Sequence, residues 1–230
     1  MNKAVDSNAD QLKSSWDSNA RVWSEAIRTG SIPSRRAGTD QAILRAIQRE
    51  QPTSLIDIGC GEGWLVRQLR SEFECRVVGV DGSAALIEDA RKSDPNGHYS
   101  VLSYDQLSDL GSEGISTFDV AVCNFALLDD QLAANLQQIR QVLSASGKIL
   151  IQTLHPCSAL GQQPYRDGWR RETFSAFDVS GWTPMPWYFR TLESWMAEIH
   201  RAGMQIVRME EPVDESTSQP LSVIFVCQNV

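Results

Sequence analysis

The sequence predicts an α/β protein whose core is a seven-stranded, mostly parallel sheet with helices on both faces. Short apolar runs alternate with amphipathic stretches across residues 52–153, and this rhythm is typical of a parallel sheet. Two strand-like runs near the end of the chain follow each other directly, which predicts an antiparallel terminal strand. The length of 230 residues is sufficient to bury one large core.

The first segment of the chain is expected to be helical. Apolar residues recur at spacings of three and four between Leu12 and Ile27, which predicts a helix over residues 10–29. Residues 30–33 (GSIP) break this pattern. A second helix is expected over residues 40–50.

The first half of the predicted sheet begins with residues 54–58 (SLIDI), a strand candidate that ends directly before a glycine-rich turn. A helix is expected over residues 62–73. Residues 76–80 (RVVGV) predict a second strand, followed by a helix over residues 83–91 that Ser83 can cap.

Three further strands complete the predicted parallel part of the sheet. Residues 99–102 and residues 118–123 (FDVAVC) are the third and fourth candidates. A helix over residues 131–143 separates the fourth from the fifth, residues 148–153 (KILIQT).

The remainder of the chain divides into an irregular and a regular part. Residues 154–190 contain four prolines and many aromatic residues without a clean period, so we expect an irregular insertion. A helix over residues 192–202 precedes strands over residues 204–209 and 221–227, which predict an antiparallel pair at the sheet edge.

Composition disfavours several classes of protein. With 21 basic and 29 acidic residues the net charge is −8, which opposes a general nucleic-acid role, although a local basic groove is still compatible with it. No apolar run reaches the roughly 20 residues of a membrane span, and no signal peptide is recognisable. The five cysteines are scattered, so neither a disulfide framework nor a metal site is expected. These features predict a cytoplasmic protein.

The most informative pattern is the run from Asp57 to Gly63 (DIGCGEG), placed between a strand and a helix. In an open parallel sheet, ligands bind at that end of the strands, and glycines let the backbone approach them closely. The alternative is that the glycines only allow a tight connection between the strand and the helix. Asp81 ends the second strand 20 residues after Gly61, where a carboxylate can accept both hydroxyls of a ribose. Its alternative role is to cap the next helix.

Together these motifs resemble the class I S-adenosylmethionine-dependent methyltransferases of the small-molecule type. The resemblance rests on DIGCGEG at 57–63, VGVDGS at 78–83 and FDVAVCNFALL at 118–128, and it covers residues 40–155 and 191–228. It implies a Rossmann-like fold in a single domain, residues 1–230. The implied parts are an N-terminal cap helix (1–38), a cofactor-binding core (40–153), an insertion that forms a substrate lid (154–190), and a closing helix with edge strands (191–230).

The resemblance also implies a set of residues that bind S-adenosylmethionine. Ser103 occupies the place where the family usually has an acidic residue that meets the adenine, and this departure leaves adenine recognition open. The resemblance implies that the Asn124 carbonyl accepts from the methionine ammonium. The implied cofactor-binding residues are Asp57, Gly59, Cys60, Gly61, Gly63, Asp81, Gly82, Ser83, Ser103, Tyr104, Asn124 and Phe125.

The acceptor would bind between the first helix and the insertion, where aromatic residues and arginines are interleaved. Such residues can form a lid over an apolar or aromatic acceptor, in which an arginine binds a carboxylate of the acceptor. Two alternatives are that they stack on nucleobases, or that they only pack under a long loop. The predicted substrate-binding residues are Trp16, Trp23, Tyr165, Trp169, Trp187, Tyr188 and Arg190.

His155 is the candidate general base, because it ends the fifth predicted strand at the ligand-binding edge of the sheet. The alternative is a histidine that hydrogen-bonds to loop backbone.

The predicted function is methyl transfer from S-adenosylmethionine to oxygen or nitrogen of a small molecule. A nucleotide-dependent oxidoreductase of the NAD type is one alternative, although the spacing G-x-G-x-G and the terminal antiparallel pair argue against it. A non-catalytic S-adenosylmethionine-binding protein is another. The expected partner is a small-molecule acceptor, without nucleic acid or membrane, and the protein is expected to be a monomer or a homodimer.

Overall fold

The computed structural model describes residues 7–113, 117–177 and 179–230, with a seven-stranded sheet at its centre. The strands are β1 (Ser54–Ile58), β2 (Arg76–Asp81), β3 (His98–Val101), β4 (Phe118–Asn124), β5 (Leu143–Leu154), β6 (Gly168–Glu172), β7 (Met185–Phe189), β8 (Met204–Glu210) and β9 (Ser222–Asn229). The central sheet has the order β3-β2-β1-β4-β5-β9-β8. Strands β1 to β5 pair in parallel, and β9 is antiparallel to both β5 and β8. This arrangement confirms the predicted sheet and its antiparallel terminal strand.

The helices are α1 (Asn8–Arg28), α2 (Asp40–Glu50), α3 (Trp64–Glu72), α4 (Ala84–Ser93), α5 (Leu132–Arg140), α6 (Pro156–Ala159) and α7 (Leu192–Arg201). Local sequence explains where they begin. The Ser7 side chain accepts from the Asp10 amide, and the Asp10 carboxylate accepts in return from the Ser7 amide, which forms a capping box. The Ser83 side chain caps α4, as the sequence predicts.

Both faces of the sheet are covered, because each strand of its centre is apolar on both sides. On one face Leu55 of β1 packs in a buried cluster with residues of α2, α3 and α4. On the other face Ile56 and Ile58 pack with residues of α5 and α7. The ends of β1, β2 and β4 therefore lie side by side in a sheet that is packed on both faces.

The insertion differs from the irregular segment that we expected. It contains the short helix α6 and an antiparallel pair, β6 and β7, which form a second, two-stranded sheet. Arginines and aromatic residues occupy both faces of these strands, so the apolar–polar alternation that indicates a strand is missing. The stretch Tyr104–Glu113, for which we predicted no element, forms a 3₁₀ helix.

Three parts of the sequence-based interpretation fall outside the described residues, namely residues 1–6 of the predicted cap-helix segment, residues 114–116 of the predicted core, and position 178 of the insertion. The single-domain organisation over residues 1–230 stays a prediction. Among the described helices, none has the length and apolar character needed to cross a bilayer.

Candidate functional site

The glycine-rich turn between β1 and α3 has left-handed backbone angles, and at Gly59 it leaves no room for a side chain. Gly59 has φ +76°, and a Cβ built on it would overlap the Cβ of Ala126. Gly61 has φ +56°, and its Cβ would lie 3.7 Å from the indole nitrogen of Trp23. Only glycine adopts these angles without strain. The turn thus lies between the loop after β4 and the first helix.

Asp81, at the end of β2, holds a fixed carboxylate beside this turn. Its Oδ2 accepts from the Gly61 amide at 2.9 Å and its Oδ1 accepts from the Ser83 amide at 2.8 Å. Burial raises the pKa of Asp81, and these two amide donors oppose the rise. Because each carboxylate oxygen has two lone pairs, both oxygens keep acceptor capacity for a ligand.

Two buried oxygens near the ends of β1 and β4 lack hydrogen-bond partners. They are Oδ1 of Asp57 and Oδ1 of Asn124. Burial, together with the nearby charge of Asp81, raises the pKa of Asp57 to about 8. Unpaired buried acceptors are costly, so their clustering at the sheet edge indicates a place where a ligand donates hydrogen bonds.

The loop after β4 is held in a strained conformation. Phe125 has φ +54°, an uncommon value for an aromatic residue, and its amide donates to the Gln152 carbonyl at 2.8 Å. The Tyr104 hydroxyl donates to the Ala126 carbonyl at 3.1 Å. The Ser103 hydroxyl donates within its own loop, to the side chains of Asp105 and Gln106.

These features surround a cavity of about 440 Å³, a size typical of ligand sites. Most of the predicted cofactor-binding residues line it: Gly59, Cys60, Gly61, Asp81, Gly82, Ser83, Ser103, Tyr104, Asn124 and Phe125. Asp57 and Gly63 lie outside the lining; Asp57 is fully enclosed below the turn, and a Cβ on Gly63 would meet the Tyr99 ring at 2.8 Å.

A cluster of aromatic side chains from α1 and the insertion covers the cavity. We call this cluster the aromatic roof, and its members are Trp16, Trp23, Phe174, Phe177 and Trp182. The rings of Trp16 and Trp23 meet edge to face at 5.5 Å, and Phe174 stacks on Trp182 at 4.3 Å. The roof joins two segments that are distant in sequence.

The structure divides the predicted substrate-binding residues into two groups. Trp16, Trp23 and Trp187 line the cavity. The others lie outside the lining: Tyr165, Trp169, Tyr188 and Arg190. Arg190 is buried behind the loop after β4, where its Nη2 donates to the Asp129 carbonyl at 2.6 Å.

His155 lies next to the cavity but is not part of its lining. Its Nδ1 accepts from the Cys157 amide at 3.2 Å, so the neutral ring carries its proton on Nε2, which lies 2.8 Å from Oε1 of Glu211. Both ring nitrogens are therefore engaged by protein groups. This geometry matches the alternative that the sequence left open, a histidine bonded to loop backbone.

Residues 55–147 match the family described as a methyltransferase domain. This match covers the glycine-rich turn, Asp81 and the end of β4, which are the elements that shape the cavity. The chain contains a methyltransferase domain. The resemblance predicted from the sequence is confirmed.

Two curated relatives carry methyltransferase names. The chain is 26% identical over 179 residues to an uncharacterized methyltransferase of Schizosaccharomyces pombe, a match to 73% of this chain and 65% of that protein. It is 31% identical over 114 residues to malonyl-(acyl-carrier protein) O-methyltransferase of Halalkalibacterium halodurans, which covers 47% of this chain and 41% of that protein. The chain spans less than two thirds of the length of each.

The fold of the methyltransferase domain recurs in solved structures. One is the 1,6-didemethyltoxoflavin-N1-methyltransferase of Burkholderia thailandensis with bound 1,6-didemethyltoxoflavin and S-adenosylhomocysteine. The two chains superpose with a TM-score of 0.65 at 16% identity, over 100% of this chain and 94% of that one. This likeness confirms the predicted Rossmann-like fold.

The cavity of the methyltransferase domain fits S-adenosylmethionine, the cofactor of this class. The carboxylate of Asp81 suits ribose hydroxyls, the unpaired Oδ1 of Asn124 suits an ammonium group, and Gly59 and Gly61 provide a turn that a Cβ would fill.

Sequence reasoning missed several residues of the cavity wall. Arg35 stacks on Trp64 at 4.2 Å and pairs with Asp40, and all three line the cavity. Asp129 and Glu172 line it as well. Arg35 lies in a segment between two helices that carried no recognisable motif, and the carboxylates follow strands without a characteristic spacing, so no sequence signal identified them.

Proposed function

We propose that the protein is an enzyme that transfers a methyl group from S-adenosylmethionine to oxygen or nitrogen of a small molecule. The observation that carries this proposal is the Asp81 carboxylate, which two backbone amides hold at the cavity beside the glycine-rich turn. A carboxylate at this position of a doubly wound sheet recognises a ribose. The match of residues 55–147 to the methyltransferase domain family supports it.

Each part of the cofactor has a proposed partner in the cavity. Asp81 would accept the ribose hydroxyls, with Gly82 and Ser83 beside them. The methionine ammonium would donate to Asn124, whose Oδ1 is unpaired, and the carboxylate of the methionine would meet Arg35. Arg35 uses Nε and Nη2 for Asp40, which leaves Nη1 for a ligand. The adenine would pack near Ser103 and Tyr104.

In this proposal the residues of the chain act mainly by positioning. The cofactor supplies an activated methyl group on a sulfonium. The strand ends hold the cofactor in place, and the aromatic roof excludes water and holds the acceptor against the cofactor. Alignment of this kind contributes up to ~7–11 kcal/mol to catalysis, so the site does not require a covalent nucleophile.

One solved structure supports a small acceptor, because the Burkholderia thailandensis enzyme holds 1,6-didemethyltoxoflavin together with S-adenosylhomocysteine. The relative from Halalkalibacterium halodurans is named for oxygen methylation of malonyl-(acyl-carrier protein), and it supports oxygen as an acceptor atom. The cavity of about 440 Å³ under the roof has the size for small ligands. The absence of a nucleic-acid partner, the cytoplasmic location and the oligomeric state stay predictions.

His155 is not proposed as the base, because both of its nitrogens bond to protein groups. We propose that it holds the end of β5 to α6 and to Glu211.

Calorimetry with S-adenosylmethionine, S-adenosylhomocysteine and NAD tests the proposed cofactor. We expect micromolar binding of the first two and none of NAD. Asp81→Ala should weaken S-adenosylhomocysteine binding at least ~10-fold, because charge-assisted hydrogen bonds to the ribose are lost. Glu88→Ala, on the exposed side of α4, is the matched control and should bind like the wild type.

Binding of NAD alone would favour the oxidoreductase alternative. Binding of both S-adenosyl compounds without turnover, in a labelled-methyl screen of metabolite pools, would favour a non-catalytic binding protein.

A further inference from the structure

The arginines of the insertion do not face the cavity, which bears on the charge of the acceptor. Arg170 donates to the Ala159 and Pro164 carbonyls, and its guanidinium stacks on the ring of Phe189 at 3.4 Å. Arg190 stacks on Tyr188 at 4.8 Å and bonds to the Asp129 carbonyl. Neither lines the cavity. An arginine from the insertion is therefore not placed to grip an acceptor carboxylate.

The charged groups that the insertion and the β4–α5 loop contribute to the cavity wall are carboxylates. Glu172, at the end of β6, accepts with Oε1 from the amides of Thr173 and Phe174 at 2.8 and 2.6 Å. These bonds fix the carboxylate, and among the described residues no donor is bonded to its Oε2. The side chain is half-buried and lines the cavity.

Asp129 is the second carboxylate of this wall. It accepts from the Gln131 amide at 2.9 Å and from the Asn135 side chain at 2.8 and 3.0 Å. Three hydrogen bonds from two donor groups occupy three of about four acceptor positions of the Asp129 carboxylate, so one position is left for a ligand.

The cationic residues of the wall lie elsewhere. Arg35 pairs with Asp40, and it stacks on Trp64, next to the glycine-rich turn. Lys13, on α1, is exposed and lines the cavity. The Ser103 hydroxyl is the main cause that lowers the pKa of Asp105, and the charge of Lys13 adds to it, so Lys13 lies towards the loop after β3. Arg35 therefore lies beside the glycine-rich turn and Lys13 towards the loop after β3, and both of these elements belong to the proposed cofactor site.

Aromatic faces complete this acidic part of the wall. Phe174, Phe177 and Trp187 of the insertion line the same cavity as the two carboxylates. Aromatic rings attract cations through the negative faces of their quadrupoles. Aromatic rings combined with fixed carboxylates are suited to an ammonium group on an apolar body and unsuited to a carboxylate.

We propose that the methyl acceptor is an amine with an apolar or aromatic body, recognised by Glu172 and Asp129. This inference rests on the proposed methyltransferase function and narrows it from oxygen or nitrogen to nitrogen. The carboxylates bind the protonated amine and provide an exit for its proton to water. The nitrogen lone pair of the neutral amine then forms the N–C bond as the S–C bond breaks, and S-adenosylhomocysteine leaves as the neutral thioether.

The test compares three phenyl probes of similar shape by calorimetry, on the full chain saturated with S-adenosylhomocysteine. They are 2-phenylethylamine, 2-phenylethanol and 3-phenylpropionate. We expect the amine to bind at least ~10-fold more tightly than the alcohol, and the propionate to bind most weakly. Glu172→Gln should reduce the preference for the amine by ~5-fold or more. Glu193→Gln, an exposed carboxylate on α7, should leave it unchanged.

The outcomes separate this inference from the function on which it rests. Suppose that the chain binds S-adenosylhomocysteine but binds the amine and the alcohol equally well, or binds the propionate more tightly than the amine. That result overturns the amine inference alone. Failure of S-adenosylhomocysteine itself to bind overturns both. A folded Glu172→Gln that keeps the full preference would shift the test to Asp129→Asn, and a preference that survives both substitutions excludes the two carboxylates as its source.

Discussion

Asp57 is an ionisable residue placed where its charge is unfavourable. Burial and the neighbouring Asp81 raise its pKa in the folded chain to about 8, from an ordinary value of 3.8. A group whose pKa is raised in the folded state stabilises the fold at low pH. That contribution to the free energy of unfolding is lost as the pH rises through the folded-state pKa. The ionised form of Asp57 therefore opposes folding at and above neutral pH.

We predict that Asp57→Asn changes the pH dependence of stability. Between pH 5 and 8 the free energy of unfolding of the wild type should fall relative to Asp57→Asn, by at most ~1.4 kcal/mol per pH unit, and the difference should level off above pH 8. Urea unfolding at several pH values measures it. Parallel profiles for the two proteins would show that Asp57 does not titrate in this range.

His155 gives a second residue-scale prediction. His155→Ala should cost about 1–3 kcal/mol of stability, because it removes the acceptor for the Cys157 amide and the bond to Glu211. His155→Asn should restore part of that loss, since asparagine also caps helices. Affinity for S-adenosylhomocysteine should stay unchanged in both. Loss of turnover with wild-type stability and binding would instead identify His155 as a base.

At this scale the sequence indicated where the glycine-rich turn and Asp81 lie, at the cavity, because a strand, a turn and a helix fix their positions locally. Their role in binding stays a prediction. It could not predict the environment of His155. That environment depends on Glu211, which is 56 residues further along the chain and directly follows β8, so its position depends on the pairing of β8 with β9.

At the scale of elements, the Asn19 side chain connects α1 to the insertion. Asn19 is almost completely buried in α1, with 1% of its surface exposed. Its Nδ2 donates to the Thr183 carbonyl at 2.9 Å, and its Oδ1 accepts from the Thr183 amide at 2.8 Å. The side-chain amide thus pairs with the backbone of the insertion as a neighbouring strand would.

We predict that Asn19→Ala loosens this connection. Leaving the Thr183 backbone groups unpaired should cost about 1–3 kcal/mol and accelerate hydrogen exchange in residues 179–189. Exchange in the central strands of the sheet should not change. Arg21→Ala, an exposed position on the same helix, is the control. Equal exchange in both variants would mean that the aromatic contacts alone hold the two segments together.

The elements of the sheet were predictable because apolar runs and turns recur with a clear rhythm. The pair β6–β7 was not, since Trp169, Arg170 and Trp187 combine polar and aromatic groups on both faces. Contacts outside the strands explain their arrangement. The Tyr188 amide donates to the Leu128 carbonyl at 2.7 Å, and Arg170 bonds to loop carbonyls.

At the scale of the whole molecule, the cavity has two walls of different origin. One wall consists of strand ends and loops within residues 55–147, the part of the chain that matches the methyltransferase domain family. The other wall lies outside that match: it consists of the aromatic roof from α1 and the insertion, together with the segment that carries Arg35 and Asp40.

This division makes the two walls separable in evolution and in engineering. Substitutions in the aromatic roof reshape the space over the cavity without disturbing the backbone that Gly59 and Asp81 require. Asn19 is the point at which the two halves of the roof must remain compatible. A change of ligand preference should therefore require α1 and the insertion to change as a matched pair, while the strand ends and loops of residues 55–147 keep their sequence.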